Sequence, residues 1–188
     1  MSQQALPNGL PAIHRYITDH NSEGTACFSD RNHETLDWQP VGQIANFALG
    51  YTTSSFPVDF EQGKDVSDYE GYLANKPGIT IPGGTVLRIV DMAPGATSPM
   101  HRTVSLDYGV VLEGEVELVL DSGEKRLLQR GDVAIQRGTN HAWKNTSDTK
   151  WARMMYVLQE SKPFTVAGKT LGEDYGEGMP GVRSSGKA

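Results

Sequence analysis

From Thr85 onward, apolar and polar residues alternate in short runs, each closed by glycine, proline or aspartate. A period of two is what a half-buried strand requires, because successive side chains point to opposite faces. "TVLRIVDM" reads as one strand, ended by Pro94 and Gly95. "YGVVLEGEVELVLDSGEKRLLQRGDVAIQRG" reads as three short strands, with turns at Gly114, 121–123 and 130–132, and "ARMMYVLQE" closes the series. Short strands at near-regular spacing predict an all-β sandwich or barrel.

The flanks follow other patterns. The first forty residues are polar and irregular, with "HRYITDH" and "ACFSD" as short strands and "LDWQPV" running into a proline-marked turn. "IANFALGYTTSSFP" is rich in aromatic and β-branched residues and predicts one or two strands. "DVSDYEGYLA" predicts a short helix, N-capped by Asp65 or Ser67, and "KPGITIPGG" breaks it. After Pro163 the chain is glycine-rich and reads as an extended arm or disordered tail. The expected organisation is an N-terminal extension over 1–83, a barrel core over 84–160 and a C-terminal arm over 161–188.

Alternation also sorts faces. His101, Thr103, Ser105 and Asp107 share odd parity and so one face; Tyr108 should face away. Val110, Leu112, Val116, Leu118 and Leu120 form an even apolar set, with a parity reset possible at Gly114. An apolar face needs cover, either from the N-terminal half or from a second subunit, and a homodimer is expected on that ground.

Composition narrows the class. The chain of 188 residues is 37% hydrophobic, enough for a core without crosslinks. No apolar run approaches the roughly 20 residues a bilayer span needs, and no secretory signal is visible at the N-terminus. Net charge is −6 and the pI about 5.3, without a basic patch, so neither nucleic acid nor a membrane surface is an expected partner. The single Cys27 reads as a small buried or half-buried residue of a chain in a reducing, cytoplasmic setting.

The candidate chemistry lies in two glycine-punctuated blocks, "PGATSPMHRTVSLDYGVVLEGE" and "GDVAIQRGTNHAW". Two imidazoles and a carboxylate, His101, His141 and Asp107, suit a divalent Fe, Mn, Ni, Co or Zn ion with open positions for substrate. Gly131 and Gly138 flank the strand leading to His141 and permit the tight turns that aim it. Trp143 shares parity with His141 and offers an aromatic wall; Gln136 and Thr139 offer hydrogen bonds. Arg102 and Arg153 are candidates for a substrate carboxylate, with plain surface charge the stronger reading for Arg102. His14, His20 and His33 read as ordinary residues. No phosphate-binding loop and no nucleophile-elbow motif is present.

The two blocks resemble the paired motifs of the cupin superfamily. Its first motif runs Gly, five residues, His-x-His, three or four residues, Glu, six residues, Gly; here stand Gly95, His101-Arg102-Thr103, Asp107 and Gly114. Its second motif runs Gly, Pro-x-Gly, two residues, His, three residues, Asn; here stand Gly131, Gln136-Arg137-Gly138, His141 and Asn145. The likeness covers residues 84 to 159 and is closer still to small cupin-domain proteins of bacteria and of fungal secondary-metabolite pathways, some labelled oxidoreductases.

That resemblance implies a double-stranded β-helix, the jelly-roll barrel, and a metal held by His101, Asp107 and His141. It also exposes three departures: Thr103 for the second histidine, Asp107 for glutamate, Gln136 for proline. Thr103 then lines a substrate pocket with Gln136 and Trp143, while the shorter Asp107 either reaches the metal or acts as a base. The leading expectation is a metal-dependent cupin oxidoreductase acting on a small, aromatic or polyketide-like metabolite. A non-redox lyase using Asp107 or His141 as acid and base, and a metal-free binding protein, stand beside it.

Overall fold

The computed structural model describes residues 4–176 together with Arg183 and Ser185. In chain order the strands are β1 (Thr18–His20), β2 (Ala26–Phe28), β3 (Trp38–Val41) and β4 (Ala45–Thr52). After the helix α1 (Lys64–Ala74) come β5 (Thr85–Met92), β6 (Ser105–Glu113), β7 (Val116–Leu120) and β8 (Lys125–Leu128). The series ends with β9 (Val133–Arg137), β10 (His141–Asn145), β11 (Ala152–Glu160), β12 (Phe164–Val166) and β13 (Lys169–Leu171). The helix sits where its pattern predicts. Its N-cap, however, is Gly63, in the left-handed region at φ 64°, rather than Asp65 or Ser67. A 3-10 turn over Glu61–Gly63 leads straight into it, so the chain enters without a side-chain cap.

Two antiparallel sheets form the barrel: six strands in the order β3-β4-β5-β11-β6-β9, and three in the order β10-β7-β8. Their inner faces share one core. Val90, Met92, Val111, Ala134, Ala152 and Met154 come from the large sheet, and Val116 and Trp143 from the small one. A second cluster, around Tyr69, Val86, Ile79, Ile81 and Leu158, seats α1 against one end of the barrel.

Parity resets at Gly114, as the sequence allows. In β6 the inward residues are odd, with Ser105, Asp107 and Val111 buried and Tyr108 exposed; in β7 they are even, with Val116 fully buried. Gly114 has φ 77°, and a Cβ there would lie 3.1 Å from the Ala152 Cβ, so the turn tolerates little else. The outer face of the large sheet is covered by the chain's own N-terminal segment. Leu36, Ala48 and Ile89 are buried there with Ile13, Trp38, Leu112 and Met155 against them. Asn46 fastens that segment by pairing both its amide groups with the Leu6 backbone, each at 2.8 Å.

Cys27 does not fit its expectation: it is exposed, because the β1–β2 hairpin that carries it stands clear of the core. The described part of the C-terminal arm packs on the barrel rather than trailing away. Arg102 and Asp174 exchange backbone hydrogen bonds, and Tyr175 joins the second cluster. The rest of the arm, apart from Arg183 and Ser185, lies outside the described residues.

Candidate functional site

A cavity of about 100 Å³ opens in the barrel interior. Its walls are largely apolar, and its polar groups converge from four strands and the loop before β6. That loop brings Pro99 and His101 alongside the start of β10. His101 N–H donates to the His141 carbonyl at 2.8 Å and His141 N–H to the His101 carbonyl at 2.9 Å. Residues bonded directly opposite each other in this way send their side chains to one face. The two imidazoles accordingly stand with ring centroids 4.4 Å apart.

Both rings are oriented by the same device. His101 Nδ1 meets the Pro99 carbonyl at 2.8 Å and His141 Nδ1 the Thr139 carbonyl at 2.9 Å. A carbonyl only accepts, so each Nδ1 carries the hydrogen and each Nε2 keeps its lone pair. Burial favours the uncharged ring. It holds His101 below the usual imidazole range and, aided by the neighbouring His101, pushes His141 down to about 4. Two neutral imidazoles with free Nε2 atoms on one face are good donors for a metal ion.

Asp107 lies in the same cavity but is drawn into a different network. Its Oδ2 accepts from the Thr103 hydroxyl at 3.2 Å, and Ser105 donates in turn to Thr103 at 2.7 Å. Its Oδ1 is buried without a partner. Burial outweighs these hydrogen bonds and raises the carboxyl to about 6. Among the described residues, no three His, Cys, Asp or Glu side chains gather closely enough to hold a metal. The three-ligand set expected from the sequence is therefore assembled at its two histidines. Asp107, shorter than glutamate and held by Thr103, stands apart from them.

The other expected residues divide. Thr103 and Trp143 line the cavity, Trp143 with its ring edge-on to His141 at 5.7 Å. Gln136 is buried and in register with Asp107, yet lies outside the cavity lining; its amide oxygen accepts the Thr139 hydroxyl. Arg153 points to the opposite face of its strand. There it grips Asp91 through Nε at 2.5 Å and Nη2 at 2.7 Å, beneath the N-terminal segment. Arg102 is held by the Gly172 carbonyl at 2.8 Å and by Asp174.

Among the cavity residues that escaped the sequence reading are Arg88 and Tyr156. They are register partners on β5 and β11. The signal was available: Val86, Arg88, Val90 and Met92 share one parity in "TVLRIVDM", so an arginine stands in an inward apolar row.

The cupin domain model matches residues 88–158, the segment that supplies all of these groups except the N-terminal walls. Phomopsin biosynthesis cluster protein C' of Diaporthe leptostromiformis is 50% identical over 185 residues, 98% of each chain. The chain belongs to the cupin family. Oryzines biosynthesis cluster protein J of Aspergillus oryzae is 47% identical to this cupin, covering 89% of this chain and 94% of that one. A cupin-domain-containing oxidoreductase of Neurospora crassa is 43% identical, covering 89% and 84%. The cupin thus has relatives named for secondary-metabolite clusters and relatives named oxidoreductases.

Proposed function

We propose that this cupin is a metal-dependent enzyme acting on a small, largely apolar metabolite, aromatic or polyketide-like, inside the barrel, and that it is an oxidoreductase. The observation that carries the reading is the His101–His141 pair, with both Nδ1 atoms committed to carbonyls and both Nε2 atoms free. Relatives named oxidoreductases support the reaction class. The donor set fits a divalent Fe, Mn, Ni, Co or Zn ion held by His101 and His141, with substrate or water completing it. Bound there, such an ion supplies Lewis acidity and, for the redox-active metals, electron transfer.

The protein's own groups do the remaining work. Trp143 and Tyr156 flank the reacting part of the substrate, and the apolar walls exclude water. Asp107, its carboxyl poised at about 6, takes up and returns a proton near neutral pH. That poised carboxyl also favours a second reading, a non-redox lyase at the same site.

Elemental analysis of the purified protein tests the proposal. One metal per chain is expected, lost in His101→Ala and in His141→Ala. A metal-free protein whose ligand binding survives both substitutions overturns it. Turnover of a substrate at full rate without O2 or another oxidant rejects the oxidoreductase in favour of the lyase.

Two copies of the chain pair, in this reading, across the outer face of β6 and β9. Tyr108, Val133 and Ile135 are 40%, 57% and 52% exposed there. They form one apolar strip, since Tyr108 is in register with Ile135 and Val110 with Val133. No helix among the described residues is long and apolar enough to cross a membrane.

A further inference from the structure

Among the described residues, Arg88 is the one lysine or arginine that lines the barrel cavity, and the protein gives it little company. Its Nη2 donates to the Gly78 carbonyl at 3.0 Å, while its Nε is buried with no partner. Its guanidinium carbon lies 5.4 Å from the centre of the Phe47 ring. Among the described residues, no carboxylate forms an ion pair with it. Contrast Arg153 three strand positions from Arg88's register partner: equally buried, it is matched by Asp91 with two hydrogen bonds.

A buried guanidinium left with one neutral acceptor is a costly group for a fold to keep. Burial pulls Arg88 down to about 10, which still leaves it cationic at neutral pH. The site around it is built to stay positive. Arg88 also borders a second cavity, of about 260 Å³, whose other charged walls among the described residues are Lys76 and Arg183, with no acidic residue among them. On the barrel side, Ile79, Tyr156 and Leu158 complete an apolar surround.

We infer that Arg88 is the anchor for a carboxylate of the substrate, so that the enzyme takes an apolar, ring-bearing acid rather than a neutral molecule. The fixed, planar fork of an arginine matches a carboxylate's two oxygens. The carboxylate completes the guanidinium's hydrogen bonding, and the apolar body extends toward Trp143 and the two histidines. This inference rests on the barrel cavity being the substrate site, but not on metal or on redox chemistry.

Benzoate and its neutral counterpart benzamide serve as probes, with affinities taken from ligand-observed NMR titration of the purified protein. Benzoate should bind roughly tenfold more tightly or better, the usual advantage of a hydrogen bond to a charged group. Arg88→Gln and Arg88→Met should bring the two probes to equal affinity, and Arg88→Lys should restore part of the preference. His101→Ala and His141→Ala, which remove the metal donors, should leave the preference intact. Equal binding of both probes by the unaltered protein overturns the inference without recourse to any variant. So does a preference that survives Arg88→Met or that vanishes in the histidine variants, the second outcome placing the carboxylate at the metal. Arg88→Met also reports folding: its melting temperature should match or exceed that of the unaltered protein, because the apolar chain replaces an uncompensated charge. A large fall in melting temperature, with the benzoate preference kept by Arg88→Lys at full strength, assigns Arg88 a structural role instead.

Discussion

Asp107 leaves one carboxylate oxygen buried and unsatisfied, and the consequence can be followed through pH. Its folded pKa stands at about 6 against an ordinary value of 3.8, with burial as the cause. Below 3.8 the group is protonated in both the folded and unfolded chain and costs nothing. As pH rises through 3.8 to 6 the unfolded chain sheds its proton first, so stability falls. Above 6 the loss is complete, about 3 kcal/mol at most for the two-unit shift. In chelator-treated protein, Asp107→Asn should therefore be the more stable form at pH 7, by about 1–3 kcal/mol in urea denaturation, with the difference gone near pH 4. The same substitution should reduce turnover by about a hundredfold or more, because the amide cannot carry the proton. At this scale His101, Thr103 and His141 were legible from spacing and parity. The separation of Asp107 from the histidines was not, because it depends on which neighbour claims the carboxylate, and Thr103 does.

Strand β5 shows what an element adds to its residues. Its inward face carries Arg88 among Val86, Val90 and Met92, and its outward face carries Asp91 under the N-terminal segment. The alternation of one eight-residue run thus delivers one charge to the cavity and another to a buried ion pair. The Asp91–Arg153 pair is 0% and 4% exposed, so removing one partner strands the other in a dry place. Arg153→Met alone should cost about 3–5 kcal/mol, whereas Asp91→Leu with Arg153→Met should recover most of it. Urea denaturation of the two single variants and the double variant measures the coupling. Most faces were readable in the sequence because burial on one side imposes a period of two, but the run over 108–138, read as three strands, forms four, β6 to β9, because each of its three turns separates two strands. The N-cap of α1 was not, because a left-handed glycine and a 3-10 turn replaced the side-chain cap that the pattern suggested.

For the whole molecule, the question is what covers each apolar face. The N-terminal segment covers one outer region of the large sheet, closing over Leu112 and Ile89. The strip of Tyr108, Val133 and Ile135 stays open at the β9 edge. A second copy meeting the same strip would bury it symmetrically. Sedimentation equilibrium should accordingly find a dimer, and Ile135→Asp a monomer with its fold intact by circular dichroism. A monomeric unaltered protein at tens of micromolar, the range of ordinary weak association, would remove the pairing from the proposal.

The sequence by itself determined the barrel, because glycine-marked turns and alternating apolar positions leave few other ways to bury a β-rich chain of this length. It also singled out His101 and His141 as candidates, since both stand at the fixed distances from turns that the cupin motifs share. Only the tertiary structure decided the rest. Facing histidines required the loop before β6 to meet β10 across the molecule. Arg88 and Arg153 are alike in the sequence, each an arginine within an apolar strand. One became a cavity cation and the other half of a buried ion pair, because Arg88 falls in the inward row of its strand and Arg153 in the outward row of its own, where Asp91 stands opposite it.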